Sequence, residues 1–125
     1  MRHPIPDDVR RFVLTRIPSV PFLEALLLLR AERRSSWGDA ALAQRLYIPP
    51  PKAQELLLQL AEAGFANGDA DSNSWRWTPD PEVAEVVDRL AQVYAENLIG
   101  ITELIHSRQD RRAQQFADAF RWRKD

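Results

Sequence analysis

Residues 39–64, DAALAQRLYIPPPKAQELLLQLAEAG, constrain the fold more than any other stretch of the chain. Ala41, Leu42, Leu46 and Ile48 form one apolar set, and Ala53, Leu56, Leu57, Leu60 and Ala63 form a second. Their spacing of i, i+3, i+4 and i+7 puts each set on one helical face. Between them, Pro49, Pro50 and Pro51 cannot continue the first helix. They do suit the first turn of a second helix, where a missing N–H costs nothing. Asp39 is the expected N-cap of the first helix, and Gly64 is placed to end the second in a left-handed conformation. Two short helices joined by a turn of about four residues make a helix-turn-helix.

The flanking segments follow from the same rules. Residues 6–17 read as a helix with Asp7 and Asp8 in its first turn, where the helix dipole favours carboxylates. Its apolar stripe is Val9, Phe12, Val13 and Ile17. Pro18 ends it, and Ser19 caps the next helix. Residues 20–34 are apolar nearly all round and are expected to form the central buried helix. Trp37 follows in a loop and reads as a core plug. After Gly64, residues 65–78 carry a dense set of turn formers (GDADSNS) and an alternating WRWT, which predict a β-hairpin anchored through Trp75 and Trp77.

Pro79 closes the hairpin, Asp80 caps a new helix, and residues 81–107 hold no further interior proline. One helix of roughly 39 Å is predicted there, at 1.5 Å per residue. Its broad apolar stripe makes it the candidate dimer surface, through Val83, Val87, Leu90, Tyr94, Asn97, Ile101 and Leu104. Asn97 reads either as a register-setting residue of a paired-helix seam or as an exposed side chain. Gly100 implies a close approach or a kink. Residues 108–125 are expected to be a basic helical tail docked through Phe116, Ala117, Phe120 and Trp122. Arg121, Arg123 and Lys124 form its basic end. The expected organisation is one domain. It comprises an N-terminal helix (1–18), a core (19–79), a long C-terminal helix (80–107) and the basic, aromatic tail (108–125).

Composition narrows the chemistry. The chain contains no cysteine, which excludes disulfides, thiolate metal sites and cysteine nucleophiles. His3 and His106 are its only histidines, so neither a metal site nor a bound cofactor is expected. No paired acid–base site, glycine-rich phosphate loop or nucleophile–histidine spacing points to an enzyme. The longest apolar run, FLEALLLL, is short and contains Glu24, and the first residues have no apolar core of a secretory signal. A cytoplasmic location and no membrane association are therefore expected.

The order helix, helix-turn-helix, hairpin, long helix is similar to winged helix-turn-helix proteins. Residues 41–66 resemble the DNA-binding half of small bacterial regulators of the MarR and PadR type. Leu42, Ala43, Leu46 and Ile48 match the "LA-x-x-L-x-I" pattern, and Leu57, Leu60, Gly64 and Phe65 match "L-x-x-L-x-x-x-G-x". The fold class implied is mainly α with a small β-hairpin wing, extended by an N-terminal helix and a long C-terminal helix. The resemblance implies a dimeric, DNA-binding transcription regulator whose second helix enters the major groove while the wing meets the backbone. The residues that would touch DNA are Lys52, Gln54, Glu55, Gln59 and Arg76.

Charge pulls the other way. The net charge is −1. Residues 49–85 carry only two cations, Lys52 and Arg76, against seven carboxylates. DNA affinity depends on neutralising phosphates. Glu55 and Glu62 would face those phosphates, and Asp69 and Asp71 occupy the hairpin tip. The alternative is a winged helix that contacts a protein partner, with exposed Leu58 at its centre.

Overall fold

A computed structural model describes residues 4–123, with side chains described as far as residue 119. Six helices and one two-stranded antiparallel sheet follow in the order α1 (Asp7–Arg16), α2 (Val20–Ala31), α3 (Asp39–Leu46), α4 (Pro50–Glu62), β1 (Ala66–Asp69), β2 (Ser74–Trp77), α5 (Pro81–Glu96) and α6 (Leu98–Arg123). Among the described residues, every element contributes to one apolar core except α6 beyond Ile105 and the outer ends of the strands. Among the described residues no single helix is long and apolar enough to cross a membrane. α1 and α2 meet at a bend of 116°.

Helix boundaries obey local chemistry. The Ser19 hydroxyl accepts from the Phe22 amide at 3.2 Å and caps α2, as expected from its position. α2 buries Phe22, Leu23, Ala25, Leu26 and Leu29. It stops at Ala31 rather than continuing to residue 34, because Glu32 leaves helical geometry and its carbonyl accepts from Ser35 in a turn. The Glu32 carboxylate then pairs with Arg45 of α3 at 2.8 Å.

The start of α3 differs from expectation. Gly38 is its N-cap and Asp39 its first residue, with no capping bond from the Asp39 side chain to its own helix. Asn73 in the hairpin turn takes that role. Its side-chain carbonyl accepts from the Asp39 amide at 3.1 Å, and its amide donates to the Asp39 carboxylate at 2.8 Å. A β-carbon on Gly38 would lie 2.8 Å from the Asn73 carbonyl oxygen, so glycine is required for this approach. Trp37 adds a second tie, exchanging both backbone bonds with Trp75 at 2.7 and 2.9 Å.

A three-residue turn, Tyr47, Ile48 and Pro49, separates α3 from α4. Tyr47 lies in the left-handed region at φ 56°. α4 ends in a Schellman motif: the Phe65 amide bonds to the Leu60 carbonyl at 3.0 Å and the Gly64 amide to that of Ala61 at 3.1 Å, with Gly64 at φ +85°. The hairpin then pairs Ala66 with Trp77 through to Asp69 with Ser74.

The expected continuous C-terminal helix is two helices. Asn97, at φ −145° and ψ 62°, ends α5, and its side-chain oxygen accepts from the Gly100 amide at 2.9 Å. This is an N-cap bond to the third residue of α6. Asn97 is 9% exposed, so it is a buried cap and not an exposed side chain. Gly100 is explained by the same contact, since a β-carbon there would sit 2.5 Å from the Asn97 amide nitrogen.

Part of the expected dimer face is buried within the protomer. Val87, Leu90 and Ile101 are fully buried, and Val83, Tyr94 and Leu104 pack on the core as half-buried residues. α5 and α6 fold against α1 and each other. The tail also differs. It extends α6, but residues 109–119 are all exposed, Phe116 at 68%. The side chains of Phe120, Arg121, Trp122 and Arg123, and all of Lys124, lie outside the described residues.

Ion pairs fasten the helices at the surface: Arg30 to Asp88 at 2.7 Å and Arg89 to Asp8 at 2.7 Å. The hydrogen bond from Arg89 holds the Asp8 carboxyl below the ordinary carboxylate value. A depressed folded-state pKa stabilises above the unfolded value, and the benefit is lost as pH falls through the folded one. Replacing Arg89 with alanine should remove this acid-side dependence below about pH 4. Thermal melts between pH 2 and 7 check it, with salt weakening the effect in the parent protein.

Candidate functional site

α4 turns one face to the core and the other to solvent. Its inward residues Ala53, Leu56, Leu57 and Leu60 are fully buried. That rotation fixes Lys52, Gln54, Glu55, Leu58 and Glu62 in solvent, with Gln59 half-buried. Four of the five residues proposed for DNA contact therefore share one face. The fifth, Arg76, is exposed on β2 opposite Asn67.

The electrostatics of this face are acidic. The Lys52 ammonium lies 3.5 Å from the Glu55 carboxylate, one turn on. Both side chains are about half exposed, so the pair adds little stability. It does place a carboxylate beside the only cation of α4. A shallow depression of about 590 Å³ follows, lined by Glu55, Leu58, Gln59, Ala61 and Glu62. Leu58, in its lining, is 42% exposed.

The hairpin turn is built for structure. The Asp69 carboxylate accepts from the Asp71 amide at 2.9 Å, and Asn73 is committed to α3. Trp75 is buried, and Trp77 stacks on Phe65 with ring centres 6.3 Å apart. These aromatics anchor the hairpin, as their alternation implies.

Cations cluster at the opposite end of α4. Arg16 donates to the Ala63 carbonyl at 2.9 Å, and its guanidinium lies 4.9 Å from the centre of the Phe65 ring. A cation there suits the negative end of the helix. Arg108 and Arg16 line a depression of about 340 Å³ together with Gln59 and Glu62. Burial, and then the charge of Arg112, press the Arg108 guanidinium below the ordinary arginine value.

Sequence reasoning misses Tyr47, which projects from the α3–α4 turn at 94% exposure. Its place just after the last apolar position of α3 and before three prolines marks it as a turn residue. Leu98 and Ile99 are exposed in the first turn of α6, and a stripe running unbroken through Asn97 hides them. Among the described residues no group of three or more acidic or histidine side chains is placed to hold a metal ion.

Comparison with known proteins finds no matching family model, no matching curated protein and no matching solved structure.

Proposed function

We propose that this chain is a winged helix-turn-helix protein whose α4 face binds another protein. The three-residue turn between α3 and α4, the hairpin that follows, and the Trp37 bridge to its second strand support the winged-helix description. The observation that carries the function is the character of the α4 face: apolar at Leu58, acidic at Glu55 and Glu62, and with Lys52 drawn to Glu55. Such a surface complements an amphipathic partner that brings an apolar anchor flanked by cations.

Leu58 is the test residue because it is exposed and its loss leaves the core intact. Leu58→Glu should leave thermal stability within about 0.5 kcal/mol of the parent, as for an ordinary surface change. It should weaken capture of a protein partner by at least about tenfold, equal to 1.4 kcal/mol. Equal capture by both forms would remove α4 from the interaction.

A second reading, a dimeric DNA-binding transcription regulator, is favoured by Lys52, Gln54 and Gln59 sharing one face, with Arg76 exposed on the hairpin. Glutamine can bond adenine edges and Glu55 can accept from cytosine. The scarcity of cations to meet phosphates makes it the weaker of the two.

A further inference from the structure

We propose that the depression between the end of α4 and α6 is a carboxylate-binding site, with the guanidinium groups of Arg16 and Arg108 as its donors and an apolar wall for the body of the ligand. The site adjoins the α4 face at Gln59 and Glu62 and stands independently of what meets Leu58.

The walls are held by contacts between distant elements. Arg16 reaches from α1 to the Ala63 carbonyl at 2.9 Å, with its guanidinium 4.9 Å from the Phe65 ring centre. Gln109 ties α6 to the α1–α2 turn by donating to the Pro18 carbonyl at 3.1 Å. Arg108, the residue before it, is thereby held at the depression that Arg16 also lines. Pro18, Phe22 and Ala63 supply the apolar part of the lining.

Arg108 is the residue that calls for a ligand. Its Nη1 is buried and has no hydrogen-bond partner among the described residues. Water satisfies the donors of an exposed arginine, whereas a guanidinium nitrogen shut away without an acceptor is costly. The neighbouring charge of Arg112 adds to that cost. Only Nη1 is enclosed in this way, so Nε and Nη2 remain open to an acceptor. Arg16 keeps donors beyond the one it gives to Ala63, because a guanidinium carries several N–H groups. Among the described residues neither arginine forms an ion pair, and Glu62, the carboxylate in the same lining, pairs with neither. Planar guanidinium groups bind two-oxygen anions through parallel N–H bonds.

Charge balance selects the class of anion. Arg16 and Arg108 against Glu62 leave one positive charge in excess, which one negative charge neutralises. The carbonyl end of α4 opposes a second. A carboxylate meets both conditions and dianionic phosphate does not. A space of about 340 Å³ with an apolar wall takes a short hydrocarbon body. A small free carboxylic acid and the carboxylate that ends a peptide chain share this chemistry.

NMR of the full chain, following the Nε–Hε signals of Arg16 and Arg108, tests the site with sodium hexanoate against sodium chloride at equal ionic strength. Hexanoate should move both signals saturably, with a dissociation constant of roughly 1–10 mM for so small a ligand, and chloride should not. Arg108→Gln should weaken hexanoate binding at least about tenfold, read from the Arg16 signal. It should leave the melting temperature unchanged or raised, because Arg108 makes no hydrogen bond within the described fold. Glu62→Gln should tighten binding about threefold and admit inorganic phosphate, because it removes the opposing charge. A capped tetrapeptide ending in leucine, with a free or an amidated C-terminus, separates the two sources. Tighter binding of the free-carboxylate peptide than of hexanoate assigns the site to a chain end, and the reverse assigns it to a small acid.

No saturable shift with hexanoate or the free-carboxylate peptide up to about 100 mM overturns the proposal. So does an equal shift with chloride, which would be general screening, and so does an Arg108→Gln variant that binds hexanoate like the parent. A lowered melting temperature in both Arg108→Gln and Glu62→Gln overturns it as well, since that marks the two side chains as an ion pair closed on itself.

Discussion

Replacing Phe65 with alanine is expected to destabilise the protein by about 3–5 kcal/mol, the range for removing a buried aromatic ring. Phe65 is fully buried. Its ring meets Phe12 edge-on at 5.9 Å and Phe22 at 6.0 Å, and stacks on Trp77 at 6.3 Å. It therefore joins α1, α2 and the hairpin at one point. Its backbone is equally committed: the amide completes the end of α4, and the carbonyl accepts from Thr78 at 3.0 Å. The cavity left by alanine is bounded by three rings that cannot all close in without moving the elements that carry them. Arg16 would also lose the ring on which its guanidinium rests. Urea unfolding followed by tryptophan fluorescence measures the effect. A domain is typically stable by only 5–15 kcal/mol, so the midpoint should fall steeply. A loss below about 1.5 kcal/mol would mean that the surrounding rings repack freely.

Asn97→Ala is expected to cost about 2 kcal/mol, combining a lost N-cap with an unpaired amide at a buried site. Gly100 would keep its N–H but lose the acceptor 2.9 Å away. Asn97→Asp should retain most of the stability, because a carboxylate oxygen can accept from the same amide and suits the positive end of α6. The pair of variants separates capping from a register role. A register residue in a paired-helix seam would give little loss in the monomer, and its replacement by a hydrophobe would strengthen association. Denaturation curves for the two variants, read beside their oligomeric state, decide it.

The fold is legible in the sequence where local chemistry is self-contained. Pro18 followed by Ser19 marks the boundary of α2, and Pro49 to Pro51 mark that of α4. Gly64 marks the end of α4, and the alternation at Trp75 to Trp77 marks the second strand. Each signal acts within one turn of chain. The departures arise where distant residues decide. Asp39 is the right residue type in the right place for a cap, yet Asn73, 34 residues away, holds that end of α3. The helical stripe runs through Asn97 without a gap, since the apolar spacing on both sides is compatible with one helix. Only the folding of α6 back onto α1 shows that the stripe serves the protomer's own core. Phe116 and its neighbours have the spacing of a docked helix, yet residues 109–119 are all exposed.

The candidate site is legible in part. Periodicity fixes which residues of α4 face outward, so the sequence itself places Lys52, Gln54, Glu55, Leu58 and Gln59 on the surface. What spacing cannot give is their pairing, and the approach of Lys52 to Glu55 changes what the face offers to a partner.

Whether α4 meets DNA is tested most directly by fluorescence anisotropy of a labelled, mixed-sequence duplex titrated with the full chain at about 50 mM salt. Non-specific DNA binders show dissociation constants of about 10⁻⁴–10⁻⁶ M at physiological salt and bind more tightly at lower salt. The acidic α4 face predicts no saturation up to about 100 μM protein, above most of that range. Micromolar, salt-dependent binding whose slope falls on replacing Lys52 and Arg76 with alanine would contradict it.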